Sequence, residues 1–109
     1  MGKWIVVAQY GKGETYVTEV VRRLTGTRDE ALEELRAATL SYGAPMREKW
    51  REVYRFPGGD SYLVIVKGAV SLTEYRLGIA EKVWDSNDPA VAKTVAAAEK
   101  TPQDAPPAS

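Results

Sequence analysis

The stretch TRDEALEELRAATLSY, from Thr27 to Tyr42, is the segment on which the fold of this chain depends. Thr27 and Glu30 match a capping box, in which the hydroxyl and the carboxylate each accept a hydrogen bond from a backbone amide of the first turn. Acidic residues crowd the first two turns, where the positive end of the helix dipole favours them. Gly43 suits a left-handed C-terminal cap, and Pro45 prevents continuation. The sequence therefore predicts one long helix.

One face of this predicted helix is apolar. Residues at helical spacing form the stripe, namely Ala31, Leu32, Leu35, Ala38 and Tyr42. Leu40 lies off the stripe, and we expect it at the surface, where it can meet a partner. A helix with a single apolar stripe must bury it against another layer, so we expect a sheet beside it.

Five segments around the helix are typical of β-strands, because they combine β-branched and aromatic residues with turn signals at their ends. They are residues 3–10, 14–24, 46–56, 61–67 and 72–84. The glycine-rich segments 11–13 and 57–60 are predicted hairpin turns and not phosphate loops, because neither leads from a strand into a helix. The order β-β-α-β-β-β predicts an α+β fold, with a five-stranded antiparallel sheet and the helix packed on one face.

The length of 109 residues suits a single domain, which we place at residues 1–85. Residues 86–100 form a C-terminal extension, in which Asp88 and Pro89 can start a short helix. Residues 101–109, TPQDAPPAS, are rich in proline and polar residues, so we expect this tail to be disordered.

The composition excludes several classes of chemistry. Lys and Arg number 15, as do Asp and Glu, so no net charge attracts the chain to nucleic acid or to a membrane. The absence of Cys and His removes thiol nucleophiles, thiolate or imidazole metal sites and the commonest general base. We therefore expect no enzyme activity and no cofactor. No signal peptide or membrane-spanning pattern is present, and we expect a cytoplasmic protein.

A basic stripe is the sharpest local feature. Arg47, Lys49, Arg51 and Arg55 recur at period two along the predicted strand 46–56, and Arg76 can join them from a neighbouring strand. Such a patch beside aromatic residues can bind single-stranded nucleic acid. The alternative is a solvated face that forms weak cross-strand ion pairs with glutamates. The neutral total charge favours the second interpretation.

Aromatic and acidic residues of the predicted strands allow two further hypotheses. The Trp and Tyr side chains can line a small-ligand cup between helix and sheet, or they can be ordinary core and cross-strand pairs. Glu48 and Glu52 alternate with apolar residues on one face. If that face were buried, desolvation would raise the pKa of both carboxyls and suit them for acid–base work. If the strand is bulged or at an edge, both are exposed.

The functional hypothesis depends on what covers the face of the sheet opposite the predicted helix. One helix covers one face, yet several predicted strands are apolar on both faces, so we expect another segment or subunit to cover the other. We favour a homodimer with interface residues Leu40, Trp50, Tyr54 and Trp84. The expected function is a non-enzymatic protein-interaction module. A nucleic-acid-binding protein and a small-ligand cup are the alternatives.

The segment WIVVAQYGKGET (residues 4–15), together with GTRDEALEELR (residues 26–36), resembles small actinobacterial proteins of unknown function, such as those of streptomycetes. The resemblance covers roughly the first eighty-five residues. Its motifs are structural, and it implies no activity and no functional residue.

Overall fold

The computed structural model describes residues 1–87, and its elements follow the predicted order. They are β1 (Gly2–Lys12), β2 (Thr15–Gly26), α1 (Arg28–Ser41), β3 (Trp50–Arg55), β4 (Ser61–Lys67) and β5 (Leu72–Glu81). The strands form one antiparallel sheet in the order β2-β1-β5-β4-β3, with α1 packed on one face. This confirms the predicted fold class. The predictions for residues beyond 87 lie outside the described residues.

The two ends of α1 follow the sequence closely. The Glu30 N–H donates to Thr27 Oγ1 over 3.2 Å, and the Thr27 N–H donates to Glu30 Oε1 over 2.9 Å, so the predicted capping box is present. Past the last turn, Gly43 adopts a φ of 69°, in the left-handed region predicted for it. Both signals depend only on neighbouring residues, which is why the sequence reveals them.

The hydrophobic core lies between α1 and the sheet. The predicted stripe of α1 faces it, and Leu35 of this stripe is fully buried. Burial alternates strictly along β4, as a strand covered mainly on one face requires. The buried cluster comprises Val6, Ala8, Leu35, Tyr62, Val64, Val66 and Leu77. Each large apolar side chain in this cluster contributes about 1.5–3 kcal/mol to stability.

Two predicted strands are shorter than expected. β3 begins at Trp50 and not at residue 46, because the chain turns at Arg47, whose φ of 60° is incompatible with a strand. β5 ends at Glu81, three residues before the predicted end. The first hairpin turn lies at Gly13 and Glu14, since β1 and β2 continue their pairing to Lys12.

A bulge in β2 changes which residues share a face. Val6 pairs with Arg22 but Val7 pairs with Val20, so Val21 is an extra residue in β2. Beyond a bulge the alternation changes parity. Leu24 therefore lies on the helix side of the sheet and not on the side of Val20, where simple alternation would place it.

We expect Gly43→Ala to destabilise the protein strongly. A Cβ at Gly43 would lie 2.5 Å from the Tyr75 ring, and the φ of 69° adds backbone strain. The left-handed conformation costs about 1–2 kcal/mol and the overlap about 1–3 kcal/mol more, measured as free energy of unfolding in urea.

Gly13→Ala is the matched control for this prediction. Gly13 has nearly the same φ, 63°, but no atom lies within 4 Å of its added Cβ. Gly13→Ala should therefore lower the free energy of unfolding only by the cost of the left-handed backbone conformation, about 1–2 kcal/mol. Equal losses in the two variants would contradict the close packing of Gly43 on Tyr75.

Candidate functional site

The face of the sheet opposite α1 is covered by no helix or strand of residues 1–87. We call it the open face. Its side chains alternate with the core residues, as Val7 does on β1 and as Leu63 and Ile65 do on β4. These three residues are half-buried.

The part of the open face formed by β3, β4 and β5 carries a cluster of large apolar side chains. This cluster, the apolar patch, comprises Trp50, Tyr54, Leu63, Ile65 and Leu72. Trp50 is 45% exposed, Tyr54 51% and Leu72 61%. Strand register places Tyr54 directly beside Leu63, so their side chains share one continuous surface.

Charged side chains are interleaved with the apolar patch. Strand pairing places Ile65 between Glu52 and Glu74 on the open face. Lys67 lies two residues after Ile65 on β4, and Arg76 lies two residues after Glu74 on β5, so both are on the same face. The Tyr54 hydroxyl donates to Glu52 Oε1 over 3.2 Å, and the negative charge of Glu52 raises the pKa of Tyr54. The open face therefore carries both signs of charge.

The structure separates the four predicted interface residues. Trp50 and Tyr54 lie together on the apolar patch, as the predicted alternation implied. Leu40 is 73% exposed but lies on the outer surface of α1, on the opposite side of the sheet. Trp84 is 66% exposed and follows the end of β5, outside the patch. A single interface through the open face can therefore include only the first two at its centre.

The predicted basic stripe is not a single surface. Arg47 and Lys49 precede β3, and the positive φ of Arg47 breaks the alternation that would align them with the strand. Arg51 and Arg55 project to the helix side of the sheet, whereas Arg76 lies on the open face. The prediction of one positive patch is wrong in this respect, because period-two spacing was extended through a turn.

Arg51 has a structural role that the sequence did not reveal. Its side chain is only 8% exposed, and its Nη1 donates to the carbonyl oxygens of Thr39 over 3.1 Å and of Tyr42 over 2.8 Å. Its Nη2 also donates to Glu48 Oε1 over 2.8 Å. The last turn of α1 has no basic residue of its own, so Arg51 supplies the cation that caps its free carbonyls.

The structure favours the exposed interpretation of Glu48 and Glu52 over the acid–base hypothesis. Glu48 lies in the loop before β3 and Glu52 on β3, and both residues are exposed. The hydrogen bond from Arg51 holds the pKa of Glu48 below its ordinary value, which is opposite to the shift that desolvation of a general acid would produce. The exposed alternative for these two carboxylates is therefore the one observed.

Three tyrosines meet at the C-terminal end of α1. The ring of Tyr75 makes edge-to-face contacts with Tyr10 and Tyr42, at centroid distances of 5.4 Å and 5.0 Å. Burial raises the pKa of Tyr42, and the nearby charge of Glu19 adds to the effect. Its hydroxyl stays protonated and can donate a hydrogen bond but cannot serve as a base. The ring packing supports the core interpretation of these aromatics.

No group of three or more carboxylates within residues 1–87 is arranged to hold a metal ion. None of the helices in that part of the chain is both long and apolar enough to cross a membrane.

No protein-family model, no curated protein and no solved structure matches the chain. The resemblance to small actinobacterial proteins thus stays a prediction.

We expect Arg51→Met to lower the free energy of unfolding by about 1.5–3 kcal/mol, because it leaves the carbonyls of Thr39 and Tyr42 without their charged donor. Arg55→Met removes an exposed arginine from the same side of the same strand and should change stability by no more than about 0.5 kcal/mol. Urea unfolding followed by circular dichroism compares them. Equal effects would contradict the capping role of Arg51.

The stabilisation from Glu48 should depend on pH. Its folded-state pKa lies below the ordinary value of 4.5, so its ion pair with Arg51 stabilises the protein above about pH 4.5. That contribution is lost as the pH falls through the lower, folded-state pKa. We expect Glu48→Gln to be less stable than the native protein at neutral pH, with the difference shrinking in acid. A difference in urea midpoint that is independent of pH would oppose this account.

Proposed function

We propose that this chain is a protein-interaction module that forms a homodimer through its open face, with the apolar patch at the centre of the interface. The observation that carries the proposal is the clustering of Trp50, Tyr54 and Leu72, each about half-exposed or more, around Leu63 and Ile65. Single exposed apolar residues are common on protein surfaces, whereas contiguous patches mark interaction sites.

The size of the open face suits a stable interface. Strands lie about 4.8 Å apart and rise about 3.3 Å per residue, so five strands of 6 to 12 residues form a face about 24 Å wide and about 20–40 Å long. A standard interface buries about 800 Å² on each partner, which is comparable with this area. Sheets that pack face to face in this way lie about 10 Å apart and bury interdigitated aromatic and aliphatic side chains between them.

The charges of the open face support a second copy as the occupant. The patch is interleaved with two anionic side chains, Glu52 and Glu74, and two cationic ones, Lys67 and Arg76. Two identical faces of this kind meet without net repulsion, and each anion can find a cation on the other copy. Trp and Tyr at the centre are the residue types that dominate interface energies.

Binding to single-stranded nucleic acid has less support. That function requires cations that follow one groove beside stacking aromatics. Here Arg51 is engaged with α1, and Arg55 and Arg76 lie on opposite faces of the sheet. Near Trp50 and Tyr54, the cations of the open face are matched by glutamates.

Sedimentation equilibrium of the full chain tests the dimer. We expect the native protein to dimerise, and we expect Trp50→Arg and Leu72→Arg each to raise the dimer dissociation constant by about thirtyfold, which corresponds to about 2 kcal/mol for a central interface residue. Both side chains are substantially exposed, so the fold should tolerate the substitutions.

Leu40→Arg is the matched control for these variants. It places the same charge at a residue of similar exposure on the other side of the sheet, and it should leave the dimer unchanged. At about 1 mM, even a dimer with a binding free energy of only about −4 kcal/mol is half-formed. A native protein that stays monomeric at this concentration therefore contradicts the proposal. So does a dimer that is disrupted by Leu40→Arg and not by Trp50→Arg.

A further inference from the structure

A cleft of about 430 Å³ lies on the helix side of the sheet, away from the open face. One wall is the middle of α1, and the other is the end of β3 with the turn that leads to β4. The lining residues are Leu32, Arg36, Arg55, Gly58, Gly59 and Tyr62. Its volume falls within the range of about 300–1,000 Å³ that is typical of small-molecule sites.

The cleft carries positive charge that no carboxylate of its lining balances. Arg36 and Arg55 form no ion pair with any residue in the range 1–87, and both are exposed. The acidic residue of the adjacent turn, Asp60, is directed to Arg28, at 4.0 Å. In a chain with equal numbers of basic and acidic residues, two unpaired arginines on one cleft are a local excess.

The surroundings of the two guanidinium groups favour a particular ligand chemistry. Guanidinium groups present paired N–H donors that match the oxygens of phosphate and carboxylate groups. Tyr62, which is 7% exposed, and Leu32 give the cleft an apolar part that can hold the organic portion of a ligand. The glycines of the turn, with φ of 100° and 76°, add no side chain that would fill the space.

We propose that this cleft binds a small phosphomonoester, with its phosphate held between Arg36 and Arg55 and its organic part against Leu32 and Tyr62. Two cations suit a doubly charged phosphate better than a singly charged carboxylate, because each guanidinium then meets a full negative charge. The inference is independent of the proposed dimer, since the cleft and the apolar patch lie on opposite sides of the sheet.

Titration of the isotope-labelled full chain with phenyl phosphate, followed by NMR, tests the proposal. We expect saturable shifts of the Gly58 and Gly59 amides, and weaker binding of inorganic phosphate, which lacks the apolar part. Benzoate, with one negative charge, should bind more weakly as well. Arg36→Gln and Arg55→Gln should each raise the dissociation constant by about tenfold.

Arg47→Gln is the control, because it removes the same charge from an exposed loop residue outside the cleft. It should leave binding of phenyl phosphate within about twofold, since general attraction between distant exposed charges is screened by salt. The proposal is overturned if phenyl phosphate does not bind at about 10 mM, a very weak affinity even for a small ligand. Equal weakening by Arg47→Gln, or benzoate binding as tightly as phenyl phosphate, also overturns it.

Discussion

A single helix can shield only one side of a five-stranded sheet, and this constraint shapes the whole molecule. With fourteen residues, α1 is about 21 Å long and about 10 Å across, and it contacts all five strands from one side. The core residues of β1, β4 and β5 all project to that side. The residues that alternate with them have no comparable cover within residues 1–87, so the asymmetry between the two faces follows from the number of helices.

The order of the strands strengthens this layer without covering its second face. β1 and β5, which are far apart in the sequence, pair at the centre of the sheet, so the first hairpin is joined to the last three strands by hydrogen bonds as well as by α1. Leu35 of the helix belongs to one buried cluster that also contains Val6 of β1 and Leu77 of β5. Stability is therefore concentrated in the centre, and the edge strands β2 and β3 depend on it.

Local signals in the sequence were sufficient for the architecture but not for the sites. The capping box and the left-handed Gly43 each depend on residues within one turn, and both were predictable. The sequence of β4 is apolar on both faces, so it predicts a strand but not which of its faces is buried. The bulge at Val21 changes the parity of β2, and the turn at Arg47 lies before the start of β3. Alternation of residue types along the sequence detects neither feature. The contacts of Arg51, and the cleft that Arg36 and Arg55 both line, bring together segments that are distant in the sequence, so they become visible only in three dimensions.

The hydrogen bonds from Arg51 to the C-terminal end of α1 hold in place a strand that contributes to both faces of the sheet. Arg51 lies on β3 between Trp50 and Tyr54, two residues of the apolar patch, and its side chain projects in the opposite direction to bind the last carbonyls of α1. An edge strand has hydrogen-bonded neighbours on one side only and is otherwise easily displaced. Arg51 ties β3 to the helix by hydrogen bonds on the helix side of the sheet. The positions of Trp50 and Tyr54 on the open face therefore depend on these hydrogen bonds. The helix α1 packs on one face of the sheet only, so the open face has no cover within residues 1–87. Through its contact with Arg51, the same helix also fixes the geometry of the proposed interface on that open face.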